Sequence, residues 1–151
     1  MDQTLIYSWY EQYKNGIYRY IFSITKDAHL SEDILHDTFL KLLTGKYTVS
    51  PEKIRPWLYR VARNLCFDHM RKRKRECVEE TMADTGPNPF RYIEMLASLS
   101  PLEQEIVSLK IIGGLTHREI GIVLGISPEA AQKRYERAIA ALRKEEDHYG
   151  T

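Results

Sequence analysis

Apolar residues recur at every third or fourth position along most of this chain, which is the spacing of an α-helix that buries one face. Glycine and proline interrupt this period at few places, and no pair of alternating segments predicts a β-hairpin. The pattern therefore predicts an all-α protein. The first helix is expected over residues 5–25, with an inward stripe of Leu5, Trp9, Tyr13, Ile17, Ile21 and Ile24.

A second helix is expected from Ser31 to near Gly45. Ser31 is a favourable N-cap, and the acidic residues Glu32 and Asp33 that follow it suit the positive end of a helix. The outward face of this helix carries Asp33, His36, Asp37 and Leu40. A leucine ringed by acids favours docking on a basic protein surface, with an ordinary solvated face as the alternative.

A third helix is expected from about Pro56 to Arg75, within a segment that has eight basic residues and one acid, Asp68. Such a segment predicts binding to a polyanion. Its inward stripe is Leu58, Val61, Ala62 and Leu65, and its outward side carries Arg60, Arg63, Asn64, Phe67, Arg71 and Lys74.

The outward side of the third helix combines three kinds of group that suit melted DNA. Arginines anchor phosphates, Asn64 can read a base edge, and an outward Phe67 offers a face on which an unpaired base could stack. The alternative for Phe67 is a place in the core, which is also the expected place of Trp57. Asp68 is expected to pair with Arg71 or Lys72 within the helix rather than to act as a catalytic acid.

The helical period lapses over residues 76–91, where acidic and small residues end in a Gly-Pro-Asn-Pro sequence. This composition predicts a flexible acidic linker between two small helical domains, over residues 1–75 and 92–147. Periodicity resumes at Phe90, and the remainder is expected to form four helices. Their boundaries are marked by Ser100-Pro101-Leu102-Glu103, Gly113-Gly114, Thr116-His117-Arg118-Glu119 and Ser127-Pro128, with the last helix reaching about Lys144.

The segment from Thr116 to Ala141 is typical of a helix-turn-helix. Its inward residues are expected to be Ile120, Leu124 and Ile126, with Gly125 in the turn and Gly121 at a close approach of the second helix. The last helix offers base-reading and phosphate-binding groups, namely Gln132, Lys133, Arg134 and Arg137. The alternative is an ordinary helical hairpin with a solvated charged face.

Composition narrows the class of protein further. The chain has 151 residues, a formal net charge of +1 and two cysteines, Cys66 and Cys77, which are too few for a disulfide framework. No secretory signal or membrane span is readable, so a cytoplasmic location is expected. No nucleophile-base pair, phosphate loop or metal cluster is present, and His36 lacks a second ligand at metal spacing, so no enzyme activity, cofactor or metal is expected.

Three blocks of this sequence carry a family resemblance: "YRYIFSI…SEDILHDTFLKLL", "RPWLYRVARNLCFDHMRKRKR" and "LSPLEQEIVSLKIIGGLTHREIGIVLGIS…KRYERAIAALRK". Together they closely resemble the group IV, or extracytoplasmic-function (ECF), sigma factors. The resemblance implies a compact two-domain initiation factor that binds core RNA polymerase and promoter DNA. It also implies an anti-sigma factor as a partner.

The resemblance assigns roles to the surfaces described above. Asp33, His36, Asp37 and Leu40 match the surface that grips the clamp helices of the polymerase. The third helix is similar to the part that reads the −10 element, with Asn64 at a promoter-reading position and the loop Lys46–Lys53 at the place where a flipped base is captured. The last helix resembles the reader of the −35 element, with Gln132, Lys133, Glu136 and Arg137 toward DNA and Lys110 at a backbone contact.

The sequence departs from the family at three places. The family usually has Gln where this chain has His36, and members often have Val-Gly-Thr-Val-Lys where this chain has Pro128-Glu129-Ala130-Ala131-Gln132. The third departure is Glu136, whose carboxylate would repel phosphate unless it accepts a hydrogen bond from a cytosine amine. The polymerase contact and the −35 sequence that is read are therefore open. Two other classes of protein stay as alternatives: a helix-turn-helix regulator that binds duplex DNA as a dimer, and a helical adaptor that binds only protein.

Overall fold

The N-terminal half forms three helices. The computed structural model describes residues 3–45, 49–76, 96 and 98–149. Helix α1 runs over Gln3–Thr25 and α2 over Ala28–Leu43; a 3-10 turn over Pro51–Lys53 then leads into α3, Ile54–Glu76. The C-terminal half contains α4, Pro101–Ile111, α5, His117–Leu124, and α6, Pro128–Tyr149. All of the regular structure in the described residues is helical, which confirms the predicted fold class.

Helix α1 buries a slightly different stripe from the predicted one. Ile6 is 5% exposed and takes the inward place expected of Leu5, which is 38% exposed. Eleven residues make about three whole turns of an α-helix, so Ile6 shares a face with Ile17 whereas Leu5 is turned away from it. Tyr13 is only half-buried.

The start of α2 lies three residues before the predicted one. Its N-cap is Asp27, whose carboxylate accepts a hydrogen bond from the backbone N–H of Leu30 at 3.1 Å. Ser31 is instead a fully buried residue of the first turn, and its hydroxyl donates to the backbone carbonyl of Asp27 at 2.7 Å. The prediction that Ser31 caps this helix was therefore wrong, because an equally good capping residue lies one turn earlier.

Helix α3 is covered on more than one side. Leu58 and Ala62 are fully buried as predicted, but Val61 and Leu65 are half-buried, and Tyr59 and Cys66 are buried instead. Both α1 and α5 pack against α3. A single inward stripe accounts for one covered side, so the predicted stripe is narrower than the buried surface of α3.

One apolar core extends through both halves of the chain. It joins Ile17, Ile21 and Ile34 of the N-terminal half to Ile106 and Ile120 of the C-terminal half, all of them fully buried. A smaller cluster of Leu96, Leu99, Val107 and Ala138 lies within the C-terminal half. The two helical domains are therefore packed on each other. Most of the expected linker, and the first helix expected after Phe90, lie outside the described residues.

The N-cap residues of the C-terminal half are as predicted, but Ser100 and Glu103 do not complete the predicted capping box. Ser100 caps α4 by accepting from the backbone N–H of Glu103 at 3.3 Å. The Glu103 carboxylate bonds the Ser100 hydroxyl at 2.6 Å rather than the Ser100 backbone N–H. Ser127 accepts from the backbone N–H of Ala130 at 3.1 Å at the start of α6, which continues to Tyr149, past the predicted end at Lys144.

Candidate nucleic-acid interface

Helices α5 and α6 form the predicted helix-turn-helix. Thr116 and Glu119 make a complete capping box: the Glu119 backbone N–H donates to Thr116 Oγ1 at 3.1 Å, and the Thr116 backbone N–H donates to Glu119 Oε1 at 3.0 Å. Gly125 ends α5 with a φ of 73°, the left-handed conformation that glycine adopts without steric cost.

The turn between the two helices is unusually close to α5. A Cβ atom at Gly121 would lie 2.5 Å from the carbonyl oxygen of Ile126. The predicted close approach at Gly121 is therefore present, and it is made by the turn just before α6 as well as by the start of α6 itself. Ile120 and Val123 are buried beneath this turn, and Leu124 and Ile126 are half-buried.

The outer surface of α6 carries the predicted DNA-facing residues. Gln132, Lys133, Arg134, Glu136 and Arg137 are all exposed. The Gln132 side-chain amide donates to Glu136 Oε1 at 3.1 Å. The amide and the carboxylate therefore form one polar unit, which sits beside three cations.

Lys110 belongs to α4 and lies beside α6, next to Tyr135, rather than among the residues of its outer surface. Its Nζ is 6.0 Å from the centre of the Tyr135 ring, and the His117 ring is 5.5 Å from the same ring. Partial burial lowers the pKa of His117, and the nearby Lys110 lowers it further. The ring of Tyr135 thus brings Lys110 and His117 together at the edge of the helix-turn-helix.

The basic face of α3 is only partly open. Arg60, Asn64, Arg71 and Lys74 are exposed, whereas Arg63 and Phe67 are half-buried. The guanidinium carbon of Arg63 lies 4.4 Å from the centre of the Phe67 ring, within the range of a cation–π contact. The expectation that Arg63 points outward is therefore corrected, because its guanidinium group lies over the Phe67 ring and turns toward Glu105 of α4. Phe67 is intermediate between its two expected places, since its ring is half-buried and packs against the core.

Charged pairs decide where the α3 side chains point. Arg71 pairs with Asp68 one turn earlier, as predicted. Arg63 pairs with Glu105 of α4 and also donates to Asn64 Oδ1 at 3.1 Å. The hydrogen bond from the Leu30 backbone N–H lowers the pKa of Asp27, and Arg73, which donates to the same carboxylate at 3.2 Å, lowers it further.

The outward face of α2 is exposed as predicted and borders an apolar groove. Asp33, His36, Asp37 and Leu40 all reach the surface, with Leu40 53% exposed. His36 and Leu40 line an open groove of about 510 Å³ between α1 and α2, together with Tyr7, Tyr10, Phe39 and Leu43. Sequence reasoning missed Tyr7 and Leu43, whose signal is that they are large apolar residues outside the inward stripes.

Cysteine and metal chemistry find no support in the described residues. Cys66 is fully buried, and burial raises the pKa of its thiol to about 12, so it behaves as a packing residue. Cys77 lies outside the described residues, as do Lys46, Tyr47 and Thr48 of the loop expected to capture a base. Within the described ranges, no group of histidine, cysteine and acidic side chains could hold a metal ion, and no helix is long and apolar enough to cross a membrane.

Comparisons with known proteins identify the two halves of the chain separately. Residues 9–76 match the family model for sigma-70 region 2, and residues 90–142 match the model for sigma-70 region 4. The ECF RNA polymerase sigma factor SigM of Bacillus subtilis is 29% identical over 131 residues, covering 78% of this chain and 80% of the relative. SigE of Mycolicibacterium smegmatis, also an ECF sigma factor, is 29% identical; the match covers 94% of this chain but only 63% of that relative.

Solved structures show the same fold. CnrH in complex with the cytosolic domain of CnrY matches with a TM-score of 0.72 at 24% identity, covering 97% of this chain and 90% of CnrH. The sigma factor RpoE of Bartonella quintana, in complex with the anti-sigma factor NepR, matches with a TM-score of 0.66 at 20% identity, covering 91% of this chain and 93% of RpoE. The two regions and the named relatives together define the class: the chain belongs to the sigma-70 family of RNA polymerase sigma factors, in its extracytoplasmic-function group.

Proposed function

We propose that this chain is a transcription initiation factor that binds core RNA polymerase and directs it to specific promoters. In this function the C-terminal domain holds duplex DNA at the −35 element, while the N-terminal domain binds the polymerase and stabilises the opened −10 strand. The chain catalyses no reaction itself. We also propose that the domains are bounded as the sequence suggests, at residues 1–75 and 92–147.

The separation of two unlike surfaces is the observation that carries this proposal. The α2 surface is acidic and apolar, with Leu40 beside a groove of about 510 Å³. The outer surface of α6 is cationic, with Lys133, Arg134 and Arg137 exposed. An acidic and apolar surface repels DNA but suits a protein, whereas a cationic helix in a helix-turn-helix suits the major groove. One chain is thereby equipped to join a protein to DNA.

The residues proposed for each contact lie on the outward face of α2, the outer surface of α6 and the basic face of α3. The polymerase is bound by Asp33, His36, Asp37 and Leu40. The −35 duplex is bound by Gln132, Lys133, Arg134 and Arg137, with Lys110 against the backbone. The −10 strand is bound by Arg60, Arg63, Asn64, Phe67, Arg71 and Lys74.

An anti-sigma factor is the further partner that we propose. The solved complexes of CnrH and of RpoE support this partner, since in each a related fold is bound to another protein, which in the RpoE complex is an anti-sigma factor.

Run-off transcription on a set of genomic promoters, with purified core polymerase in the presence and absence of this protein, tests the function. Transcripts that require the protein are the expected result. If such transcripts are absent and the protein alone binds duplex DNA tightly as a dimer, the chain is a helix-turn-helix regulator rather than an initiation factor.

A further inference from the structure

A lysine, a histidine and a tyrosine from three different helices meet at one edge of the helix-turn-helix. They are Lys110 of α4, His117 at the start of α5 and Tyr135 of α6. The centre of the Tyr135 ring lies 6.0 Å from Lys110 Nζ and 5.5 Å from the centre of the His117 ring. All three side chains are half-buried, and we name these three residues the edge cluster.

The edge cluster lies beside the surface of α6 that is proposed to enter the major groove. Glu136 is exposed on that surface, and its carboxylate is near enough to His117 to influence the charge of the imidazole. An α-helix with its side chains is about 10–12 Å across and the major groove is about 12 Å wide, so α6 would fill the groove. Groups that flank the helix then meet the phosphates at the edge of the groove. Lys110 and His117 are two such groups.

The start of α5 adds two hydrogen-bond donors at the same edge. The backbone N–H groups at the start of a helix have no partner within the helix. The capping box uses those of Thr116 and Glu119, which leaves those of His117 and Arg118. The carboxylate of this turn is paired, because Glu119 Oε2 lies 2.9 Å from Arg55 Nε. The N-terminus of α5 therefore favours an anion beside the imidazole.

The surroundings of His117 disfavour the imidazolium form in the free protein. Partial burial lowers the pKa of His117 from its ordinary value of 6.5 and the Lys110 ammonium group lowers it further, whereas the Glu136 carboxylate acts in the opposite direction. Nδ1 of the ring is buried and has no hydrogen-bond partner among the described residues. Because an imidazolium carries a proton on both nitrogens, the cation would also bury an N–H without an acceptor. An anion beside Lys110 would offset the charge that opposes protonation.

We propose that the edge cluster is a phosphate-binding site that takes up a proton when duplex DNA binds, with one DNA phosphate held between Lys110 and His117. The inference rests on the proposed function for its ligand, the duplex at the helix-turn-helix. The proton comes from solvent, adds to the unprotonated ring nitrogen of His117, and is released when the DNA dissociates. Duplex binding should therefore tighten as the pH falls, by at most about tenfold per pH unit for one proton.

Binding of the full chain to a fluorescent, mixed-sequence duplex at low salt measures this coupling, because a phosphate contact does not depend on base sequence. The affinity of the wild type should rise about fivefold from about pH 8 to about pH 5.5, the low end of usual coupling between two sites. The slope of log K against log salt should steepen by about 0.9 over the same change, because one more phosphate is neutralised. A histidine with only a structural role would leave that slope unchanged.

Three variants isolate the histidine. His117→Gln removes the titrating ring and should lose both the rise in affinity and the change in salt slope. His117→Lys supplies a permanent cation and should bind at about pH 8 as tightly as the wild type binds at about pH 5.5. His29→Gln, at an exposed histidine of α2, is the matched control and should keep the wild-type pH dependence.

Proton NMR titration of the His117 ring gives a measurement on the unaltered protein. The pKa of His117 should be higher in the complex with the duplex than in the free chain, and Lys110→Met should raise it in the free chain. The proposal is overturned if the wild type does not bind the duplex at low salt, if the pKa of His117 is unchanged by the duplex, or if His117→Gln keeps the wild-type pH dependence.

Run-off transcription separates this inference from the proposed function. If no transcript requires the protein but His117 still takes up a proton with the duplex, the phosphate site stands and the initiation factor does not. If transcripts require the protein and the pKa of His117 ignores the duplex, only the phosphate site is lost.

Discussion

Asn64 and Arg63 are neighbours on α3 with different surroundings. Asn64 is exposed and accepts a hydrogen bond from Arg63, which is itself held by Glu105 and lies over Phe67. A residue in contact with the C-terminal domain affects stability as well as binding, whereas an exposed residue affects mainly binding. Asn64 is therefore the residue whose substitution reports most directly on the proposed recognition of the −10 strand.

Asn64→Ala should impair promoter opening more than polymerase binding. Loss of a base-reading amide is expected to reduce open complexes about tenfold, in line with about 1–3 kcal/mol for a good contact to a base. Permanganate reactivity of the promoter measures opening, and the dissociation constant for core polymerase measures binding. Lys72→Ala, an exposed residue elsewhere on α3, is the control. Equal losses of opening and binding in Asn64→Ala would contradict the assigned role.

The buried thiol of Cys66 and the buried hydroxyl of Tyr59 should make the fold less stable at alkaline pH. Burial raises the pKa of Cys66 from 9.0 to about 12 and that of Tyr59 from 10.0 to about 12, so the folded chain keeps protons that the unfolded chain loses. The free energy of unfolding should therefore be constant from pH 7 to 8.5 and fall as the pH rises from 9 toward 12, by at most about 1.4 kcal/mol per pH unit for each group. Urea unfolding at a series of pH values measures this fall.

The Cys66→Ala and Tyr59→Phe variants isolate those two groups. Each should start less stable than the wild type, but its stability should fall less steeply above pH 9 because one titrating group has been removed. Slopes that equal the wild-type slope would assign the alkaline sensitivity to other groups.

Among the elements, α2 and the groove beside it offer the most direct test of polymerase binding. Leu40 is 53% exposed and lines the groove, so its replacement leaves the core intact. Leu40→Asp should weaken binding to core polymerase by about 1–3 kcal/mol, the range of an important interface residue. Phe22→Asp, at an apolar α1 residue that is 37% exposed and does not line the groove, is the control. Titration of labelled core polymerase measures both, and similar affinities for the two variants would exclude the groove as the docking site.

An added methyl group should destabilise the protein more at Gly121 of α5, which faces the turn, than at Gly16 of α1. Gly121 and Gly16 both lie inside helices, where alanine is intrinsically favoured by about 1 kcal/mol. A Cβ at Gly121 would meet the Ile126 backbone carbonyl at 2.5 Å, whereas at Gly16 it would meet the Tyr59 hydroxyl at 2.8 Å, which can move with its side chain. Gly121→Ala should therefore lower the free energy of unfolding by about 1–3 kcal/mol, and Gly16→Ala by less. Urea denaturation compares them, and the reverse order would refute this account.

At the scale of the whole molecule, the continuous core couples the two domains. Both tryptophans, Trp9 and Trp57, belong to the N-terminal domain, while far-UV circular dichroism reports on the helices of both domains. Unfolding curves from tryptophan fluorescence and from circular dichroism should therefore coincide. A first loss of helix that leaves the fluorescence unchanged would show that the C-terminal domain unfolds independently.

Truncation of a core residue in the C-terminal domain extends this test. Ile106 is fully buried in the shared core, so Ile106→Ala should cost about 2–5 kcal/mol. Its midpoint should shift equally in both signals, and amide exchange should quicken in α1 as well as in α4. Ile111→Ala, at a residue that is 60% exposed on the same helix, should shift neither signal appreciably.

The sequence by itself determined the helices and the polarity of their surfaces. Periodicity and capping signals depend on residues within about one turn of each other, so they predicted the capping box of α5, Gly125 in the turn, the exposed cations of α6 and the exposed acids of α2. The error at Ser31 was also local, since Asp27 is a competing cap one turn away. Family membership followed from three such local blocks in their order.

Only the tertiary structure decided which side of α3 is covered and by what. The pairs Arg63–Glu105 and Arg55–Glu119 join residues that are 42 and 64 positions apart, and a charge pattern does not specify its partner across that distance. In the sequence, both arginines fit equally well with two roles: a free group that binds phosphate, and a partner of a carboxylate in another domain. Packing of the C-terminal domain on Tyr59 brings those carboxylates within reach, because the burial of apolar surface, rather than the charges, fixes how the domains meet.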